Sequence, residues 1–306
     1  MKTRFIVNPQ SANGATERRW PGIEKLLKST YPFEFEAVFT EKPSHETELA
    51  REGISGGCDR IISVGGDGTL NGVLNGFFDQ GRLLRQEVAL GVLEIGTGAD
   101  FARSLGFPCR TEDAIDQLVR LQPRRIDVGR ANFLSSEGNQ VVRYFINILD
   151  FGIAGAVVER VNRTTKRFGG KISFLWAILI TLFRYKNKEI HYRLDGGEWK
   201  SAVLNNFIVA NGRYFGGGLF PAPTAELNDG WFDIVLFGDI GTCEAIANLP
   251  RLRAGTHLSN PHVQTMRARQ VEAESDETVF IDMDGDLVGQ LPITISIMSG
   301  ALPFLK

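Results

Sequence analysis

The stretch from Arg60 to Phe77, RIISVGGDGTLNGVLNGF, constrains this chain more than any other feature. Arg60 to Val64 reads as a buried strand, and apolar side chains at Leu70, Val73, Leu74, Phe77 and Phe78 then fall at the spacing of a helix with one buried face. Gly65, Gly66, Asp67, Gly68 and Thr69 stand between the two. A strand that turns directly into a helix leaves backbone N–H groups without helical partners near the positive end of the helix dipole, a position that suits a phosphate. Glycine lets the backbone approach a ligand closely and take positive φ without penalty. A carboxylate at Asp67 repels a phosphate unless a cation such as Mg²⁺ or a proton lies between them, so these residues predict phosphate plus metal. The bland alternative is a glycine-rich turn in which Asp67 only caps its helix.

Two well-known phosphate loops fail on spacing. A P-loop needs Gly-Lys followed by Ser or Thr, and Gly170-Lys171 continues with Ile172. The dinucleotide fingerprint needs a third glycine where Asn71 stands. A second turn of the same kind does exist, Glu94-Ile95-Gly96-Thr97-Gly98-Ala99-Asp100-Phe101-Ala102-Arg103, after a strand predicted over Val88 to Ile95. Two such turns from neighbouring strands would lie together at the carboxyl edge of one sheet, where open α/β folds bind ligands.

Around these turns the first part of the chain alternates strands and helices. Strands are predicted at Phe5 to Val7 and Phe33 to Phe39, and helices at Trp20 to Leu27, Glu46 to Glu52 and Thr111 to Leu121. That pattern implies a parallel sheet covered by helices. Past Pro123 β runs dominate: Ile126 to Val128, Val141 to Leu149, Ile190 to Leu194, Val203 to Ala210, Phe232 to Phe237, Val263 to Ala268, Val279 to Met283 and Ile293 to Ser296. Helices are expected there only at Ala154 to Arg163, Ile172 to Phe183 and Thr242 to Arg251. The fold class is therefore α/β plus β, with an α/β domain over 1–124 and an antiparallel β-sandwich over 125–296.

With 34 basic and 36 acidic side chains among 306 residues, the chain has no global field to attract nucleic acid. Cys58, Cys109 and Cys243 are widely spaced and read as reduced thiols. His45, His191, His257 and His262 lack metal-ligand spacing and read as surface or capping residues. The apolar run at the N-terminus is too short for a signal peptide, so the expectation is a cytoplasmic protein. Gly53 to Gly57 matches a nucleophile elbow literally, but it follows a helix and precedes a strand, so it is a turn.

Taken in order, Val7-Asn8-Pro9, Gly65 to Thr69, Gly96 to Arg103, Ile126-Asp127-Val128-Gly129, Asn211-Gly212 with Gly216-Gly217-Gly218 and Pro221, Asn228-Asp229-Gly230 and Asp284-Gly285-Asp286 resemble the diacylglycerol kinase and sphingosine kinase superfamily, in its bacterial soluble branch. The resemblance covers nearly the whole chain. It implies a nucleotide-binding domain of the NAD kinase and diacylglycerol kinase type, a β-sandwich carrying the acceptor lipid, ATP in the cleft between them, and residues 297–306 returning to the first domain. Nucleotide contacts would fall on Asn8, Thr40, Gly65, Gly66, Asp67, Gly68, Thr69, Asn71 and Thr97. Asp67 and Asp100 would hold the catalytic Mg²⁺, partly through water. Asp229, with backbone carbonyls near Glu226 and Trp231, would form a second, structural metal site, and Asp286 would be the general base. The family often forms homodimers.

Two positions depart from the family pattern: Ala99 stands where Asn is usual, and Asp286 where Glu is usual. Aspartate is one methylene shorter, so the base must reach the acceptor hydroxyl by a backbone shift or through water. Asp282, Asp284 and Asp286 also read as a hairpin, which is compatible with catalysis at its tip. The apolar run Ile172 to Phe183, flanked by basic residues, suits either a buried helix or a lipid-facing element in peripheral contact with the inner membrane face. The expectation is an ATP- and Mg²⁺-dependent lipid kinase. The alternatives are a nicotinamide dinucleotide kinase, which would carry Asn-Glu where this chain reads Asn211-Gly212-Arg213, and a regulatory lipid-binding protein with weak transfer activity.

Overall fold

A computed structural model of the protein describes residues 2–30, 34–95, 99–107, 111–135, 137–168, 180–181 and 183–306, without the side chains of 111 and 162–168. The chain divides into two compact units. The first comprises Met1–Val128, Leu227–Asp229 and Met298–Lys306; the second comprises Gly129–Glu226 and Gly230–Ile297.

In the first unit β1 (Lys2–Val7) lies between β2 (Glu34–Phe39) and β3 (Arg60–Gly65) in parallel register. A small hairpin, β4 (Phe78–Asp79) and β5 (Arg82–Leu83), precedes β6 (Ala89–Glu94), which pairs in parallel with β3. Phe304 adds a further parallel pairing against Leu90. Helices α1 (Ser11–Thr30) and α5 (Thr111–Arg120) cover one face, where Trp20, Ile23, Leu27, Ile115 and Leu118 pack on Phe5, Val7, Ile62, Val64 and Leu93. The alternating residues Ile6 and Ile61 point to the other face, where α2 (His45–Ser55) and α3 (Asp67–Gly76) pack. Leu70, Val73 and Leu74 of α3 are fully buried, and each contributes about 2 kcal/mol of apolar burial. The glycines of α3 set how closely the helices approach: a Cβ on Gly76 would lie 2.6 Å from that of Ala50, while Thr47 donates its hydroxyl to the Gly72 carbonyl at 2.7 Å.

Helix α3 stops at Gly76, earlier than its apolar stripe suggests; Phe77 caps it and Phe78 passes into β4 while staying buried. Helix α1 begins earlier than Trp20, but Ala12, Asn13 and Gly14 have left-handed φ values, so regular helix follows only after Gly14.

The second unit is antiparallel. It holds β7 (Pro123–Leu134) from Gly129 onward, β8 (Gln140–Phe145), β9 (Ile148–Gly152), α6 (Ile153–Phe168), β10 (Lys188–Leu194), β11 (Lys200–Leu204), β12 (Asn206–Ala210), β13 (Phe232–Phe237), α7 (Thr242–Ala254), β14 (Val263–Ala268), β15 (Gln270–Glu274), β16 (Phe280–Met283) and the start of β17 (Asp286–Leu305). One run of neighbours is β14-β13-β12-β9-β16, and another is β11-β10-β15-β17. Both runs point apolar side chains into one sandwich core, with Phe151, Phe207, Ile234 and Ile281 from the first and Ile190, Val271 and Ile293 from the second. Phe151 and Phe207 stack at 4.6 Å between centroids, worth about 1 kcal/mol beyond their burial.

Two differences from the sequence reading have physical causes. Val141 to Leu149 is two strands, broken at Ile146-Asn147, whose N–H groups bond the Asp284 carboxylate in place of a neighbouring strand. Val203 to Ala210 also breaks, at Asn205, whose N–H turns to the carbonyls of Phe237 and Gly238. Ile293 to Ser296 is part of the 20-residue β17, and β15 was not expected. His257 is buried in an apolar setting: its Nε2 donates to the Pro221 carbonyl at 3.0 Å and its ring stacks on Phe237. Most of the run Ile172 to Phe183 lies outside the described residues, as does Cys109. No helix among the described residues is long and apolar enough to cross a membrane.

Candidate functional site

The first unit gathers its candidate residues at the carboxyl ends of its parallel strands. Asn8 follows β1, Thr40 follows β2 and donates its N–H to the Val7 carbonyl at 2.9 Å, and Gly65 ends β3. Asn8 donates from Nδ2 to Thr69 Oγ1 at 3.0 Å, while its backbone N–H reaches the Val64 carbonyl and its Oδ1 accepts from the Gln10 N–H. Two sequence-distant pieces, the Asn8 turn and the start of α3, are thereby locked together.

Positive φ is not why the turn needs glycine, since none of Gly65, Gly66 and Gly68 has it. At Gly65 the reason is closeness: an added Cβ would sit 2.5 Å from Thr69 Oγ1. At Gly66, the residue capping α3, an added Cβ would meet nothing within 4 Å, so this side of the turn is open. Asn71, buried in the same helix, accepts from Asn75 Nδ2 at its backbone and side-chain oxygens.

Asp67 does not cap its own helix. Its carboxylate accepts the N–H groups of Asp100 at 3.3 Å and Phe101 at 3.1 Å, the first turn of α4 (Asp100–Leu105). The two glycine-rich turns are therefore joined, with Gly65 and Glu94 paired in register between β3 and β6. Asp100 is buried and forms an ion pair with Arg103 at 2.8 Å. Ala99, which precedes α4, is left-handed at φ 46, a conformation that Asn tolerates better than Ala. Gly96, Thr97 and Gly98 lie outside the described residues.

Glu94 is a member of this group that the sequence reading did not single out. Both its carboxyl oxygens are buried and neither has a hydrogen-bond partner of good geometry. Burial first, and then the charges of Asp67 and Asp100, push its carboxyl up to about 10. A charged residue closing an apolar strand was the available signal. Three carboxyl groups together make an oxygen-only donor set, the kind Mg²⁺ takes, and the orphaned oxygens of Glu94 show that the polar demand there is unmet. No group of three or more acidic, His or Cys side chains among the described residues is arranged to enclose a metal. The set fits an ion held by one or two carboxylates with the remaining positions filled by phosphate oxygens and water.

In the second unit the residues from Asp282 to Asp286 form the tip of the β16–β17 hairpin. Asp284, at φ 50, is buried, and its carboxylate accepts three backbone N–H groups: Ile146 at 3.1 Å, Asn147 at 3.1 Å and Ile148 at 2.9 Å. Its own N–H donates to the Ile148 carbonyl. The break at Ile146-Asn147 is also held from its other side, where the N–H groups of Asn211 and Gly212 both donate to the Asn147 carbonyl and Asn211 Nδ2 donates to the Ile146 carbonyl. Asp286 opens β17 and is exposed to solvent. The protein around it nevertheless desolvates its carboxyl and raises it above the usual aspartate value, with Arg143 pulling the other way.

Glu226, Asp229 and Trp231 lie in the long connection between β12 and β13. Glu226 is exposed, its charge helps hold the Asp233 carboxyl above its usual value behind the larger effect of burial, and Trp231 lies under the Arg269 guanidinium at 4.3 Å.

Comparison with known proteins matches both parts of the chain. Residues 2–131 match the diacylglycerol kinase catalytic domain, and residues 147–306 match the YegS C-terminal NAD kinase beta sandwich-like domain. A diacylglycerol kinase of Bacillus subtilis is 28% identical over 295 residues, spanning 95% of this chain and 91% of that protein. One of Mycobacterium tuberculosis is 28% identical over 307 residues, spanning 100% of this chain and 95% of that protein. Among solved structures, a putative diacylglycerol kinase from Bacillus anthracis superimposes with a TM-score of 0.76 at 22% identity, covering 99% of this chain and 97% of its own, a likeness of fold.

Proposed function

Because this chain belongs to the diacylglycerol kinase superfamily and is a kinase, we propose that it transfers the γ-phosphoryl group of ATP to a hydroxyl of a diacylglycerol-like lipid. The observation that carries this reading is the turn in the first unit, where the Asn8–Thr69 bond holds the open glycine cap of α3 at the carboxyl ends of the strands. In this reading Gly65, Gly66, Gly68 and Asn71 present backbone and amide donors to the nucleotide phosphates, Thr69, Thr40 and Thr97 add hydroxyls, and Asn8 holds the loop. Mg²⁺, held by Asp67 and Asp100 partly through water, would supply charge neutralisation on the transferring group.

Phosphoryl transfer asks little covalent help of a protein: it needs aligned reactants and a carboxylate that accepts the hydroxyl proton. Asp286 is that carboxylate in this reading. Its raised proton affinity suits a base, and its place at a hairpin tip fastened by Asp284 keeps the shorter side chain in a fixed position. Asp229, with carbonyls near Glu226 and Trp231, is assigned a second, structural cation. The acceptor reaches the enzyme from a membrane surface by peripheral contact at its cytoplasmic side.

The test is incubation of the purified protein with labelled ATP, Mg²⁺ and a total lipid extract in mixed micelles. A labelled lipid is expected, falling by about 10²-fold or more with Asp286→Ala and to background with Asp67→Ala. No labelled lipid from any extract, with ATP still bound, would replace this reading with that of a regulatory lipid-binding protein.

A further inference from the structure

The antiparallel register of β9 and β16 sets Asp150 directly opposite Asp282. Their neighbours Leu149, Phe151, Ile281 and Met283 all point into the sandwich core, so the alternation of strands sends both aspartates to the other face. Directly opposed side chains on antiparallel strands have Cβ atoms about 5 Å apart. Asp150 is 1% exposed and Asp282 is 7% exposed, too little for water to screen two charges. Each also has one buried oxygen, Oδ1, with no hydrogen-bond partner.

Two ionised carboxylates only accept, so they cannot satisfy one another, and like charges opposed across strands are destabilising. A single proton changes both facts: it turns one orphaned oxygen into a donor to the other and removes one of the two charges. We propose that Asp150 and Asp282 share one proton and act as a positioning pair that clamps β9 to β16 at the root of the hairpin carrying Asp284 and Asp286. The pair is in contact with neither substrate nor nucleotide in this account; it acts through the hairpin.

The surroundings agree. Burial raises both carboxyls, the Asp282 charge adds to the rise at Asp150, and those of Asp284 and Asp286 add to it at Asp282. From β12, Asn206 lies close enough to lower the Asp150 value in part, while its Oδ1 accepts the Ala154 N–H at 3.4 Å. Tyr185 has a buried hydroxyl without a partner, and burial, with the charges of Glu277 and Asp150, holds it above its usual value. On α6, which packs against both strands, the charged side chains described are Glu159 and Arg160. Among the described residues, no cationic side chain offsets the rise at either aspartate.

The sign follows from linkage. An aspartate raised in the folded state holds its proton where the unfolded chain has lost it. The stability it confers is therefore full below the unfolded value near 4 and is lost as pH rises through the folded value. Asp150→Asn and Asp282→Asn each supply a permanent amide donor in place of the shared proton. Melting temperature, measured at pH 5 and pH 8.5, needs no catalysis to read. The gap between each variant and the native protein is expected to widen in the variant's favour by about 3 °C or more from pH 5 to pH 8.5. A gap that stays constant, or variants destabilised equally at both values, overturns the shared proton.

A second arm rests on the proposed kinase activity. Native kcat is expected to fall on the alkaline side, and in the Asn variants that fall moves to higher pH with the KM for ATP unchanged. If the melting arm holds and the kcat profile does not move, the pair stabilises the fold but does not position the base, and that half of the proposal is wrong. Loss of all lipid phosphorylation in the native protein would sink the functional reading while leaving the melting arm to decide the pair.

Discussion

Both units tie an aspartate to backbone N–H groups left over where a regular element starts or stops, and they do it with different materials. In the first unit the partly exposed Asp67 accepts two amides at the start of α4, a helix end that already favours negative charge. In the second unit Asp284 accepts three amides at a strand break 136 to 138 residues away in sequence, and every participant is buried. Asp67 itself is partly exposed, so water can take the place of its carboxylate if it is lost, whereas the place of the buried Asp284 is closed to water. The first arrangement can therefore be used by a ligand, and the second must be kept for the fold.

The contrast is sharpest in Asp284→Ala. Three buried N–H groups lose their acceptor, at about 1 to 3 kcal/mol for each left unsatisfied, so a loss of about 3 kcal/mol or more is expected in urea unfolding. A loss under about 1 kcal/mol would mean that the strand break finds other partners and that the two aspartates are equivalent after all. Asp67→Ala is expected to cost only about 1 kcal/mol, the scale of a helix cap, while abolishing phosphoryl transfer. A large stability loss there would move Asp67 from the ligand side of the comparison to the structural side. The smallest effect belongs to Arg143→Gln. Arg143 holds the Asp286 carboxyl down against desolvation, so its removal should shift the acid limb of kcat to higher pH and leave the melting temperature nearly unchanged. An unmoved acid limb would exclude Asp286 as the titrating base.

The first unit was the more legible because its signals are local. The strand at Arg60, the stripe at Leu70, Val73 and Leu74, and the turn between them can be read within 18 residues, and the parallel pairing of β3 with β6 follows from two similar turns. What escaped notice depends on partners distant in sequence. Nothing near Ile146-Asn147 announces that its amides will be claimed by Asp284, so the run through Leu149 looks like one strand. Glu94 and Asp150 look like ordinary polar residues in apolar runs; only the register that sets Glu94 beside Gly65 and Asp150 opposite Asp282 turns them into crowded buried acids. Gly72 and Gly76 of α3 carried no sequence expectation, although they serve the packing of α2.

The two halves of β17 belong to different units: residues up to Ile297 to the second, and Met298–Lys306 to the first, where Phe304 pairs with Leu90 and Leu305 joins the core around Phe5. A ribosome reading this message delivers β1, β2, β3 and β6 long before the strand that flanks them, and makes the whole sandwich in between. The nascent first unit therefore waits with the backbone edge of β6 bare until codons 298 to 306 are translated, so its sheet is completed only after the second unit has been synthesised.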